Sequence, residues 1–213
     1  MPSTEINPTT MFKLSYGLFV LTARDGAKDN GCIINTATQL TSSPLLVSIA
    51  VNKENYTRDM LMRTGEFNLS VLTVSALFGV FERFGFHSGK DTDKFAGYGD
   101  EPRTANGIRY LTASVNGVIS ARVTDTHDCG THILFISEVT GASVLSAEPS
   151  MTYQYYFDNI KPKPRLPKEH RSGFICKICA HIYESDTLPS DYICPVCKHG
   201  APDFEKIKPD ISI

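Results

Sequence analysis

Apolar and polar positions alternate most regularly between Leu111 and Val123, where Leu111, Ala113, Val115, Gly117, Ile119, Ala121 and Val123 take every second place. That period of two predicts a strand with one buried face. β-Branched and aromatic residues crowd "KLSYGLFVLTA" (13–23), "FNLSVL" (67–72), "THILFISEVTGASVL" (131–145) and "SMTYQYYF" (150–157), and each reads as a strand. "PLLVSIAV" (44–51) is apolar throughout, as in a strand covered on both faces. "RDGAKDNG" (24–31) predicts a turn, with a further strand at Cys32–Asn35 beyond it. Two short helices interrupt the strands. One spans Tyr56 to Arg63 and is opened by Asn52 or Asn55; the other runs from a Ser75 cap to Phe84, with Ala76, Leu77, Val80, Phe81 and Phe84 on one face. A polar loop at 85–107 is long enough to predict that it covers something or serves the function. Many strands without a βαβ rhythm predict a mostly-β barrel, and no internal repeat is visible.

Charge divides the chain. Residues 1–160 hold 12 basic and 16 acidic side chains, whereas 161–173, "KPKPRLPKEHRSG", hold 5 basic and 1 acidic. Three prolines in that basic stretch favour an extended spacer, so the expected domains are 1–160, a linker at 161–173, and 174–213. The last forty or so residues are too few to bury a stable core without a staple. Net charge is −2 over 213 residues, which gives no reason to expect nucleic acid or an anionic membrane. The first ten residues lack the basic run and apolar core of a signal peptide, and no stretch is apolar enough for a membrane span.

The candidate staple is a pair of C-x-x-C motifs, Cys176/Cys179 and Cys194/Cys197. Four thiolates so spaced converge on one tetrahedral metal, which the spacing alone leaves open between zinc and iron. Phe174, Tyr183, Tyr192 and Phe204 flank the pairs, and residues 174–213 are net acidic, unlike a nucleic-acid-binding ribbon. Aromatic surroundings that exclude water suit a metal whose charge changes, which favours one iron per chain; a structural zinc ribbon is the alternative. The remaining Cys32 and Cys129, with a thiolate site, indicate a reducing, cytoplasmic setting.

A cofactor site is suggested by small polar residues between apolar strands. "NTATQLTSS" (35–43) offers Asn35, Thr36, Thr38 and Gln39, and "VNKENYT" (51–57) offers Asn52, Lys53, Tyr56 and Thr57 at a strand-to-helix junction. Hydroxyls, an amide, a lysine and a helix N-terminus are what a phosphate monoester requires. Ordinary Ser/Thr-rich loops are the bland alternative. No dinucleotide or Walker fingerprint is present.

Two resemblances sharpen these readings. "FICKICAHIY", "LPSDYICPVC" and Phe204 resemble a compact rubredoxin, although Ala180 and Lys198 stand where glycine is usual and Tyr192 where tryptophan is usual. "GLFVLTA", "NTATQLTSSPLLVSIAVNKENYT", "GEFNLSVL", "FGFHSGKDTDKF" and "THILFISEV" resemble the flavin reductase-like family of FMN-binding split β-barrels. That resemblance implies a homodimer binding FMN. It places Asn35, Thr36, Ala37, Thr38 and Gln39 against the ring and ribityl chain, Asn52, Lys53, Tyr56 and Thr57 at the phosphate, Phe86 and Ser88 in the flavin-edge loop, and His132 beside flavin and nicotinamide. A structural histidine is the competing reading of His132.

Together the halves resemble the high-molecular-weight rubredoxin family. The implied activity is oxidation of NADH or NADPH, with electrons passed singly through iron to a partner such as a flavodiiron protein reducing oxygen or nitric oxide. The alternatives are a flavin or ferric reductase with a structural zinc ribbon, and a carrier reduced by another protein. Nothing in the sequence separates NADH from NADPH.

Overall fold

The computed structural model describes residues 8–162, 173–177, 181–195 and 199–207. Seven antiparallel strands make one sheet: β1 (Phe19–Asp25), β2 (Lys28–Ile34), β3 (Thr38–Ser42), β4 (Leu45–Asn52), β5 (Glu66–Leu72), β6 (Val115–Asp128) and β7 (His132–Val144), in the order β2-β1-β5-β6-β7-β4-β3. Helix α1 (Tyr56–Thr64) packs on β1 and β2. Asn55 caps it, accepting from the Thr57 amide at 2.9 Å, and Gly65 closes it at φ 68°, where a side chain would be strained. The result is the expected split barrel with short helices. No helix among the described residues is long and apolar enough to cross a membrane.

Strands β1 and β5 are sandwiched between two apolar clusters. Leu21, Ala23, Phe67 and Leu69 join Ile49, Phe135, Met60 and Leu61 inside the barrel. Leu18, Val20 and Leu72 face the second cluster, with Phe81, Phe84, Phe95, Met151 and Tyr156. Each fully buried aromatic or leucine contributes about 1.5–3 kcal/mol. In the structure the long loop runs on from Phe86 to Val115 and covers β1 and β5. Asn68 donates to the Ile108 carbonyl at 2.9 Å, Ser70 accepts from the Leu111 amide at 3.0 Å, and Thr22 donates to the Arg109 carbonyl at 2.6 Å. These three polar side chains are fully buried, so each bond removes a desolvation cost while fixing the loop.

Several sequence-based expectations change. Residues 8–13 form a 3-10 helix, and the first strand begins only at Phe19. The expected turn at 24–31 is mostly strand, because Asp25 pairs with Lys28 around a tight Gly26 turn (φ 58°). Ser75 does not cap the second helix, since its hydroxyl donates to Glu148; α2 (Phe78–Phe81) starts later and widens into a π turn over Glu82–Phe86. Strand β6 starts at Val115, after Ser114 breaks the backbone at φ 58°. Residues 150–157 are not a strand: α3 (Tyr153–Tyr155) and a π turn over Tyr156–Ile160 put Tyr153, Tyr156, Phe157 and Ile160 against the second cluster.

The C-terminal residues form a second sheet, order β10-β8-β9, from β8 (Phe174–Cys176), β9 (Ile182–Tyr183) and β10 (Phe204–Lys206). An internal repeat is present here after all. Ile175 pairs with Ile182 and Ile193 with Gly200, and the Cys176 and Cys194 amides donate to the His181 and His199 carbonyls, both at 2.8 Å. The two I-C-x-x-C-x-H segments therefore close by one common pattern. Cys179, Cys197 and linker residues 163–172 lie outside the described residues.

Candidate functional site

Strand β4 organises the barrel's candidate site. Thr36, in the crossing from β2 to β3, donates its hydroxyl to the Ala50 carbonyl at 2.8 Å and accepts the Ala50 amide at 3.3 Å. One side chain thus stands in for a missing ladder residue and holds Asn35, Thr36 and Ala37, all half-buried, against β4. Thr38 and Gln39 continue into β3, an edge strand whose five residues are all exposed. The Gln39 side chain donates to the Thr41 carbonyl at 3.3 Å.

Two residues beyond Ala50, Asn52 pairs in register with His132 at the start of β7. Asn52 Oδ1 accepts the Glu54 amide, and the Lys53 amide donates to the Thr131 carbonyl, both at 2.9 Å, so the strand-to-helix turn is tied to β7. The ammonium of Lys53 lies 2.7 Å from Asp128, which shares its charge and holds the carboxyl of Asp128 below the usual range. His132 Nδ1 is 2.9 Å from the Thr131 hydroxyl. Burial, and secondarily the charge of His199, hold the imidazole below its ordinary pKa, so the neutral ring predominates at neutral pH.

Not every candidate faces outward. Tyr56 is half-buried, with the Lys28 ammonium 4.7 Å from its ring centre, but Thr57 is fully buried. The Thr57 hydroxyl accepts from Asn30 at 2.9 Å, so its side chain serves the barrel interior and only its backbone remains near the helix start. Phe86 ends the π turn, its ring 5.7 Å from Phe78, and exposed Ser88 accepts the Lys90 amide at 3.2 Å. Those contacts keep both within their own loop. The structure therefore groups Asn35–Ala37, Asn52, Lys53 and His132 around the end of β4, and leaves Phe86 and Ser88 in the loop after the π turn.

One central residue had no signal in the sequence. Lys94 is 3% exposed and donates to the Gly31 and Phe84 carbonyls at 2.9 and 3.1 Å. In "GKDTDKF" it reads as one more solvated charge.

The donor set fits a flavin phosphate and polar ring: amides and hydroxyls beside one cation and a helix start. The cysteine module also fits its metal. Cys176 and Cys194 are 1% and 0% exposed and pack with Phe204, Tyr183, Tyr192 and Leu188. Tyr192 lies 4.3 Å from Tyr183 and 5.2 Å from Phe204 between ring centres. The two described cysteines thus sit in dry, aromatic surroundings, which suit a rubredoxin-type metal.

Comparison with known proteins agrees. Residues 11–163 match the flavin reductase like domain, and residues 174–205 match the rubrerythrin, rubredoxin-like domain. The chain is 32% identical to the high molecular weight rubredoxin of Moorella thermoacetica, over 91% of this chain and 96% of that one. It is 35% identical to a ferric-chelate reductase (NAD(P)H) of Archaeoglobus fulgidus, over 74% of this chain and 91% of that one. The FMN-binding protein of Thermus thermophilus shares the fold (TM-score 0.62, 19% identity, 72% of this chain and 89% of that one). The sequence motifs, the seven-stranded split barrel and these matches agree: the chain belongs to the flavin reductase-like family and carries a C-terminal rubredoxin-like domain.

Proposed function

We propose that this chain is an electron-transfer flavoprotein that oxidises NADH or NADPH and delivers electrons singly, through its own rubredoxin-type iron, to a partner protein. The observation that carries this reading is the fusion itself: one chain joins a flavin reductase-like barrel to a rubredoxin-like module. Bound FMN would supply the conversion between a two-electron hydride and one-electron steps. The chain's residues do the rest. Asn35, Thr36, Ala37, Thr38 and Gln39 border the ring and ribityl chain; Asn52, Lys53, Tyr56 and the backbone at Thr57 meet the phosphate; Phe86 and Ser88 close over the flavin edge. His132, neutral and braced by Thr131, orients the nicotinamide as donor or acceptor. Cys176, Cys179, Cys194 and Cys197 hold the iron. The corresponding functional units are 1–160 and 174–213, joined by 161–173.

An oxygen- or nitric-oxide-reducing flavodiiron protein is the acceptor we infer from the resemblance, in a reducing cytoplasm where Cys32 and Cys129 stay unbridged. We place a second copy of the chain against the exposed edge strand β3, whose Leu40, with neighbouring Leu45, leaves apolar surface in water (47% and 41% exposed). Visible spectra and metal analysis of anaerobically purified protein test the proposal. About one iron per chain, bleaching together with the flavin when NADH is added, is expected. Zinc, with only a flavin spectrum, would overturn it.

A second reading has its own support. The Archaeoglobus ferric-chelate reductase matches 74% of this chain, a span about equal to the barrel. A barrel acting alone on ferric chelates or flavin, with a structural zinc ribbon, keeps full turnover when residues 165–213 are removed.

A further inference from the structure

We propose that the open cleft beside the β1–β2 turn binds the adenosine end of the nicotinamide nucleotide and reads an additional phosphate monoester there, so that the chain prefers NADPH to NADH. This deepens the function proposed above and rests on it.

The cleft encloses about 570 Å³, within the range of small-molecule sites, and its walls include Lys28, Asp29, Asp93, Phe95, Arg103 and Arg109. Three cations face two carboxylates, so the lining is net positive, and one of the carboxylates is ion-paired. Asp29 is held by Arg103 in a two-pronged pair, with oxygen–nitrogen distances of 2.8 and 2.7 Å. Asp93 is exposed; it accepts the Phe95 amide at 2.9 Å and keeps its charge.

Two cations are left with charge to offer. Arg109 lies 3.3 Å from Asp29 through Nε without hydrogen-bond alignment, and its guanidinium spreads over Phe95, 5.5 Å from the ring centre. Lys28 is exposed and makes no ion pair among the described residues; its ammonium rests over the Tyr56 ring. A planar guanidinium over an aromatic ring and an exposed ammonium in the same lining form a site for a doubly charged phosphate. Pyrophosphate alone would not need this end of the molecule.

Position ties the cleft to the reaction. Tyr56 separates Lys28 from the strand-to-helix turn at Asn52 and Lys53, assigned above to the flavin phosphate. The opposite wall belongs to the stretch that also carries Phe86 and Ser88. A nucleotide reaching the flavin thus has this cleft beside it, bounded by the same two segments.

The test uses the full-length holoprotein and adenosine 2′,5′-bisphosphate as the probe in calorimetry. Wild type is expected to bind it more tightly than adenosine 5′-monophosphate, and Lys28→Gln to weaken that binding about tenfold, the usual scale for one charge-assisted contact. In steady state, Lys28→Gln raises the KM for NADPH by a similar factor and leaves kcat and the NADH constants unchanged. Arg109→Gln, checked for folding by thermal melting, behaves likewise. Equal binding of the probe by wild type and Lys28→Gln, or none by wild type, overturns the cleft. A holoprotein that oxidises neither nucleotide overturns the function proposed above, while the calorimetry still decides the cleft.

Discussion

The ammonium of Lys94 lies 2.9 Å from the carbonyl oxygen of Gly31, deep between β2 and the loop that follows the π turn. A second bond runs to Phe84, so one side chain, itself only 3% exposed, joins strand, π turn and loop. Burial lowers the Lys94 pKa, with Cys32 acting in the opposite sense. The two carbonyls repay part of that desolvation. Lys94 is a latch that holds the loop after the π turn onto β2.

Lys94→Met keeps the stem and removes the ammonium, leaving two buried carbonyls without this donor. The variant is expected to lose about 2 kcal/mol in urea unfolding. Stability equal to wild type would show that the bonds do not hold the loop.

Gly89, on the same loop, is buried against the Asn30 amide. A Cβ there would collide with that amide, which is itself tied to Thr57. Gly89→Ala should therefore displace Asn30 from Thr57 and cost about 1–3 kcal/mol by thermal or urea unfolding. A neutral substitution would mean that the loop shifts freely, contrary to the Lys94 latch.

Much of this was open to reading from the chain. Alternation from Val115 to Val123 and the apolar run at 44–51 correspond to β6 and β4, and Asn55 does cap α1. Residues 150–157 misled because aromatic content outweighed spacing: Tyr153, Tyr156, Phe157 and Ile160 already follow the helical interval that packs them together. Ser75 looked like a cap because local sequence cannot show Glu148, seventy-three positions away, claiming its hydroxyl. Lys94 was invisible for the same reason, since its partners come from β2 and the π turn. At the site, Asn52 and His132 appear far apart in sequence, and only the β4–β7 register makes them neighbours.

The two cysteines outside the metal motifs should differ sharply in reactivity. Cys129 is exposed, whereas Cys32 is buried and its thiol is pushed above the ordinary pKa by that burial. In metal-loaded native protein, a thiol reagent should modify about one group per chain quickly, and none in Cys129→Ser. Rapid labelling of Cys32 would contradict its packing against α1.

His132 sets a pH dependence. Its folded pKa lies below the unfolded value near 6.5, so on acidification the unfolded chain takes up a proton first. Its contribution to stability is therefore neutral above about pH 6.5 and becomes a penalty as pH falls from there through the folded pKa. Melting temperatures at pH 7.5 and 5.5 check this: wild type should lose more on acidification than His132→Gln. An equal loss in both would place His132 in an environment no drier than the unfolded chain's.

Cys194 offers the sharpest test of the electron path. It is fully buried, and its amide is fixed to His199 within one of the two matching cysteine segments. Cys194→Ser replaces a soft thiolate by a weakly coordinating hydroxyl, so the proposed iron should be lost or bound poorly. The barrel's core shares no residue with the cluster around Cys194, and flavin binding and bleaching by NADH should persist. Reduction of an external one-electron acceptor, followed by stopped-flow spectroscopy, should then fall about tenfold or more. If the acceptor is reduced at the wild-type rate while iron is gone, electrons leave directly from the barrel, and the cysteine module is a structural staple rather than part of the path.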